Sequence, residues 1–130
     1  MNVNEARHWL EYAQANLGAA RKVADAGYFN PSLQDAQQAV EKALKAVMIV
    51  AGIGFKKTHS IREIKAVLCS KGLVPDISDE DCRLFDALYL PSKYPLGGIL
   101  PDSEPDAMIC DHCIQSATRV VAWSLTQMQD

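Results

Sequence analysis

Side chains able to hold a phosphate or a nucleobase lie in three separate stretches of the 130-residue sequence. The candidates are Gln38, Glu41, Lys45, Lys57, His59, Lys93 and Tyr94. Lysine and protonated histidine attract phosphate, and an aromatic ring can stack on a base. If the fold brings these stretches together, they form one local cationic site for a nucleotide or for RNA.

Five of these residues also have a purely structural interpretation. Gln38, Glu41 and Lys45 are neighbours at three- and four-residue spacing, as on any solvated helix face. His59 precedes a capping serine and can hydrogen-bond the backbone at that turn. Tyr94 is held extended by the proline that follows it and can close the end of a bundle. The sequence leaves both interpretations open.

The cysteines invite a metal or redox interpretation, which their spacing does not favour. Cys110 and Cys113 flank an Asp-His pair, but a structural zinc site needs four ligands, usually as two pairs. Cys69 and Cys82 supply no second pair. We therefore expect four free thiols, with Cys110 and Cys113 packed in the core, and no metal and no cofactor. His8 and His112 are expected to be solvated or to cap helix ends.

Composition limits the class of protein. Thirteen basic and sixteen acidic residues give a net charge of −3, with a pI near 5.5, unlike a basic nucleic-acid-binding domain. The chain is 48% hydrophobic, and its length suits one domain over residues 1–130. No signal-like or membrane-spanning apolar run is present in the sequence, so we expect a cytoplasmic protein.

Apolar residues recur at helical spacing in five segments, and no long strand-like alternation occurs. The first predicted helix runs from about Glu5 to Ala26, and the second runs from an Asn30 cap and Pro31 to Gly52. The third runs from about Ile61 to Lys71, and the fourth from Ser78 to about Leu90. The fifth is opened by Ser103, Pro105 and Asp106. Ser60, with Glu63, caps the third. Gly27, Gly52 and Gly72 are expected to end helices. Residues 91–101, rich in proline and glycine, are expected to be irregular.

These elements predict an all-α, five-helix, up-and-down antiparallel bundle, because short connections make neighbouring helices antiparallel. The second helix ends in residues 46–51, which are apolar on every side. Such a segment must be buried all round. Either the rest of the domain or a second copy of the chain must cover it.

The order of three motifs along the chain adds a family resemblance. Ala-Gln-Gln-Ala-Val-Glu-Lys-Ala-Leu-Lys-Ala (36–46) precedes Lys-Thr-His-Ser (57–60) and Tyr-Leu-Pro-Ser-Lys-Tyr-Pro (89–95). With an opening helix that carries Trp9, this order resembles the HEPN family, the higher-eukaryote and prokaryote nucleotide-binding domain. The resemblance implies a four-helix core like that of nucleotidyltransferase substrate-binding subunits, usually in a homodimer. It also implies a small nucleotidyltransferase partner, as in prokaryotic toxin–antitoxin modules.

Many HEPN proteins are metal-independent ribonucleases with an Arg, four to six intervening residues and a His. No arginine of this sequence has a histidine at that distance, and the family's frequent Arg-Tyr-Pro is Lys93-Tyr94-Pro95 here. Lysine keeps the charge but lacks the bidentate fork of arginine. We therefore expect a non-catalytic nucleotide-binding or nucleotidyltransferase-partner module. The alternatives are a ribonuclease that uses Lys93 with His59, and an interaction module whose acidic surface meets a basic partner.

Overall fold

The computed structural model of this chain describes residues 3–54, 57–89 and 105–128. Within these ranges five α-helices and no strand occur, so the predicted all-α class is confirmed. The helices are α1 (Val3–Asp25), α2 (Phe29–Val50), α3 (Ile61–Ser70), α4 (Asp79–Tyr89) and α5 (Ala107–Thr126). The predicted irregular segment 91–101 lies outside the described residues.

Helix α2 is the centre of the bundle, because it packs against each of the other four helices. Its longest contact is with α1, and α5 covers a further side. Alanines on the facing stripes of α1 and α2, such as Ala13 and Ala39, are completely buried. Small side chains let the two helix backbones approach closely, and the larger Phe85 and Leu44 fill the wider parts of the core.

The central position of α2 accounts for its apolar C-terminal turns. Ala46, Val47 and Met48 are buried by the helices of the same chain, whereas Ile49 and Val50 are half-buried. Ala51, which follows the helix, is exposed. Of the two explanations offered by the sequence, burial within the domain therefore accounts for residues 46–48, whereas residues 49–51 are covered only in part by their own chain.

Most predicted helix ends match the structure. Gly27, Gly52 and Gly72 follow α1, α2 and α3 with φ of +87°, +71° and +79°, the left-handed conformation that favours glycine. Ser60 and Asp106 cap α3 and α5 through side-chain oxygens that accept hydrogen bonds from Glu63 N and Ile109 N.

The start of α2 differs from the prediction. Tyr28, not Asn30, is the residue before the helix, and it makes no side-chain cap. Asn30 therefore lies inside the first turn, beside Pro31. The helix can begin early because Ser32 N already finds Tyr28 O at 3.2 Å, and the proline has no N–H to satisfy.

The cysteines of α5 pack in the core, as expected. Cys110 and Cys113 are buried, and Cys110 Sγ lies 3.3 Å from Phe29 O. All four cysteines are free thiols. Among the described helices, none is both long enough and apolar enough to cross a membrane.

Candidate functional site

A buried carboxylate on α2 is the centre of the candidate site. The Glu41 side chain is only 6% exposed. Its Oε2 lies 3.0 Å from Lys45 Nζ and 3.0 Å from His59 Nδ1, and its Oε1 accepts a hydrogen bond of 3.2 Å from Gln37 Nε2. Glu41 therefore joins two turns of α2 to the loop before α3.

Three donors offset the cost of burying this charge. An isolated buried carboxylate would lose several kcal/mol of hydration, so it must be paired and hydrogen-bonded. Lys45, 9% exposed, supplies the nearest positive charge, and its Nζ also lies 6.0 Å from the centroid of the Trp9 ring. The Glu41–Lys45 pair is neutral overall, which leaves His59 as the titratable group of the cluster that is open to solvent.

The imidazole of His59 is held on two sides. Because an ionised carboxylate can only accept, Glu41 selects the tautomer with hydrogen on Nδ1, and Nε2 then carries the lone pair of the neutral ring. The ring also stacks on Tyr89, with centroids 4.6 Å apart and planes at 14°. The side chain is nevertheless 52% exposed. His59 is thus oriented by the protein and still open to a ligand.

The loop around His59 is fixed by hydrogen bonds of its neighbours. Thr58 Oγ1 donates to Glu63 Oε2 at 2.6 Å and accepts from Ser60 N at 3.1 Å. Ser60 Oγ donates to Asp86 Oδ2 at 2.8 Å, and Ile61 N donates to Asp86 Oδ1 at 2.6 Å. The residues on both sides of His59 are therefore tied to α3 and α4.

The remaining predicted site residues lie at different distances from this cluster. Gln38 Nε2 donates to Gln37 Oε1 at 2.7 Å, so Gln38 extends the network that ends on Glu41. Lys57 is exposed, two residues before His59. Lys93 and Tyr94 lie outside the described residues. The structure thus brings together Gln38, Glu41, Lys45 and His59.

A second charged cluster, between α4 and α5, was missed by the sequence analysis. His112 Nε2 lies 2.8 Å from Asp81 Oδ1, and Arg119 approaches Asp81 Oδ2 at 4.0 Å. The Asp81 side chain is 10% exposed, and that of His112 is 52% exposed. The prediction of a solvated or capping His112 therefore did not include its contact with Asp81. Thirty-one residues separate Asp81 from His112, so no local pattern marks the pair.

Within residues 3–54, 57–89 and 105–128, no group of three or more His, Cys, Asp and Glu side chains is placed to hold a metal ion. The chemistry available at Glu41 and His59 is proton exchange at Nε2, hydrogen bonding and attraction of an anion by protonated imidazole. A carboxylate that orients an imidazole suits either ligand binding or general acid–base work.

The family relationship can now be stated. The sequence model of the HEPN domain matches residues 6–128, almost the whole chain. The chain belongs to the HEPN family. HEPN proteins are often dimeric. The match includes α2, the loop that carries His59, and α3 to α5, so the Glu41–His59 cluster lies inside the HEPN domain.

Solved structures support the same fold. TT1696 from Thermus thermophilus is 26% identical and has a TM-score of 0.78, over 98% of this chain and 99% of that one. ST0689, an archaeal HEPN homologue, is 25% identical with a TM-score of 0.69, over 95% and 98%. A HEPN domain protein from Thermotoga maritima, TM0613, is 23% identical with a TM-score of 0.54, over 93% and 91%. No curated protein matches the chain.

Proposed function

We propose that this HEPN domain is a non-catalytic nucleotide-binding module in which His59 receives a phosphate of the ligand. The observation that carries the proposal is the orientation of a half-exposed imidazole by a buried carboxylate, Glu41, and by the Tyr89 ring. In the protonated ring Nε2 becomes a donor toward the phosphate, and a donor that is already oriented loses little conformational entropy when a ligand binds, which favours affinity.

The charge of the cluster determines which class of ligand it can bind. Lys45 and Glu41 offset each other, and protonation of His59 leaves a net positive charge that is open to solvent. Lys57, exposed two residues away, adds a second cation to the same loop. A phosphate group matches this pair of charges, whereas a cationic or apolar ligand gains nothing from them.

Absence of the family's catalytic motif supports binding over cleavage. No Arg, four to six residues and His combination occurs in the full sequence. Without an arginine fork beside the histidine, charge that develops on a phosphate during cleavage lacks its usual stabiliser. The same site can still bind phosphate in the ground state.

Calorimetric titration with ATP, GTP and a short RNA tests this function. We expect wild-type binding, and a loss of about tenfold in affinity for His59→Gln, since one charge-assisted hydrogen bond disappears. His112→Gln is the matched control, because His112 is also 52% exposed and also contacts a carboxylate. Absence of wild-type binding at millimolar nucleotide, or equal losses in the two variants, contradicts the proposal.

Two partners are proposed with this function. The family resemblance supports a homodimer and a small nucleotidyltransferase encoded beside the chain, in an arrangement of the toxin–antitoxin type. Co-expression of the chain with the neighbouring reading frame tests the second partner, and a stable complex of the two products is the expected result. A light-scattering mass that stays near the 14.3 kDa of one chain at high concentration contradicts the homodimer.

A second candidate function is metal-independent RNA cleavage at a non-standard site. The contact of 3.0 Å between Glu41 Oε2 and His59 Nδ1 favours it, because the same arrangement holds a general base in the correct tautomer. RNA cleavage in the presence of a metal chelator, lost in His59→Ala and retained in His112→Ala, would support this function. Intact RNA after prolonged incubation excludes it.

A further inference from the structure

A basic cavity lies along α3 and α4 and shares no residue with the Glu41–His59 cluster. Its volume is about 280 Å³. It is lined by Arg62, Lys65, Ala66 and Cys69 of α3 and by Asp79 and Arg83 of α4. Three cations and one carboxylate therefore surround a small space in a chain whose net charge is −3.

Lys65 and Asp79 neutralise each other within this cavity. Lys65 Nζ donates to Asp79 Oδ1 at 3.0 Å and to Ile77 O at 2.7 Å. The hydrogen bond and charge of Lys65, and to a smaller extent the charges of Arg83 and Arg62, lower the pKa of the Asp79 carboxyl, so this side chain stays ionised at neutral pH. The pair has its own partners and does not need a ligand.

The two arginines are different. In the described part of the chain, neither the Arg62 nor the Arg83 guanidinium makes a hydrogen bond or a close ion pair with a side chain. Both residues are exposed at the rim of the cavity. Guanidinium groups offer paired N–H donors that fit the oxygens of phosphate, and here two such groups face one small space.

We propose that Arg62 and Arg83 bind a terminal phosphate group in the cavity between α3 and α4. The volume accommodates one phosphate or a diphosphate and lies just below the roughly 300–1,000 Å³ of pockets that enclose a whole small molecule. The remainder of the ligand therefore stays outside the cavity. This site is additional to the one proposed at His59 and does not depend on it.

Cys69 provides a reporter for this cavity. It lines the cavity and is exposed, whereas Cys82, Cys110 and Cys113 are buried. The rate at which iodoacetamide alkylates Cys69, followed by mass spectrometry at constant ionic strength, therefore reports occupancy. We expect pyrophosphate to slow alkylation of the wild-type protein in a saturable manner. At a pyrophosphate concentration that fills most of the sites, the alkylation rate should fall by roughly threefold or more.

Substitution of the two arginines tests whether protection of Cys69 results from phosphate binding in the cavity. The double variant Arg62→Gln/Arg83→Gln should weaken the apparent affinity for pyrophosphate by at least about tenfold, because two charge-assisted contacts are lost. Arg7→Gln, at an exposed position on α1, is the matched control and should behave as wild type. His59→Gln should also retain protection, which separates this site from the nucleotide site.

The source of the phosphate is distinguished by two further titrations. A short RNA with a 5′-phosphate that protects Cys69 better than pyrophosphate assigns the site to RNA ends, and the reverse order assigns it to small phosphate compounds. The RNA without a 5′-phosphate should not protect. Alkylation that is unaffected by every phosphate up to roughly 10 mM, or protection that survives in the double variant, overturns the proposal.

Discussion

Glu41 is buried in the structure, although the sequence around it is typical of an exposed helix face. In the sequence it belongs to a polar helix face that typically meets solvent. In the structure both Glu41 and Lys45 are nearly inaccessible, because all four other helices pack against α2. Burial changes their contribution, since an exposed pair at this spacing is worth a few tenths of a kcal/mol, whereas breaking a buried one costs several.

The first prediction concerns this pair. Lys45→Met should lower the free energy of unfolding by about 3 kcal/mol, because it leaves the Glu41 carboxylate without its nearest cation. The double variant Glu41→Leu/Lys45→Met should lose less than Lys45→Met alone, because neither charge is then buried. Urea denaturation at pH 7 measures both values.

An exposed lysine supplies the control. Lys22→Met, in the last turn of α1, should change stability by no more than about 0.5 kcal/mol. A double variant at 41 and 45 that is no more stable than Lys45→Met would show that the buried carboxylate is not what destabilises the single variant, contrary to the geometry of the pair.

At the scale of elements, Asp86 fixes the start of α3 from another helix. Its carboxylate accepts from Ser60 Oγ at 2.8 Å, from Ile61 N at 2.6 Å and from Arg62 N at 3.3 Å. The Ser60 cap was predicted because it is local. The contact of Asp86 was not predicted, because Asp86 lies 25 residues after Ile61, whose N–H donates to it. No sequence pattern near Asp86 indicates such a contact.

The second prediction tests that connection. Asp86→Ala should lower the free energy of unfolding by about 0.5–2 kcal/mol, since the partly buried and exposed donors of the first turn lose their acceptor. Amide exchange of Ile61 and Arg62 should accelerate more than exchange in the middle of α2. Asp76→Ala, at an exposed loop position, is the control. Unchanged exchange in the first turn of α3 would contradict the assigned contact.

Most helix ends could be predicted from the sequence, whereas the tertiary contacts of the helices could not. Gly27 and Ser60 mark helix ends through backbone conformation and capping, which depend on a few adjacent residues. Asn30 was assigned wrongly because its cap competes with a helix start two residues earlier that the chain also allows. The candidate site was found in part. Glu41, Lys45 and His59 meet, and Gln37 joins them through the same four-residue helical spacing as Lys45, but Tyr89 enters the site only through tertiary packing.

On the scale of the whole molecule, the bundle keeps its buried thiols neutral. Burial raises the pKa of Cys113 from 9.0 to about 12 and that of Cys82 to about 11. In the unfolded chain both thiols ionise near pH 9, so above that pH the unfolded state binds fewer protons than the folded one. Stability is therefore retained below about pH 9 and falls as pH rises toward the folded pKa values.

The last prediction uses this difference. Cys113→Ala should be less stable than wild type at pH 7, because it removes buried sulfur contacts, yet its stability should fall less steeply between pH 9 and 11. The gap between the two curves should narrow by up to about 1.4 kcal/mol per pH unit, the limit for one proton. Cys69→Ala, at an exposed thiol, should follow the wild-type slope. Because the three proteins differ only at one cysteine, the comparison isolates the thiol. Parallel wild-type and Cys113→Ala curves would show that the bundle admits enough water to ionise Cys113 in place.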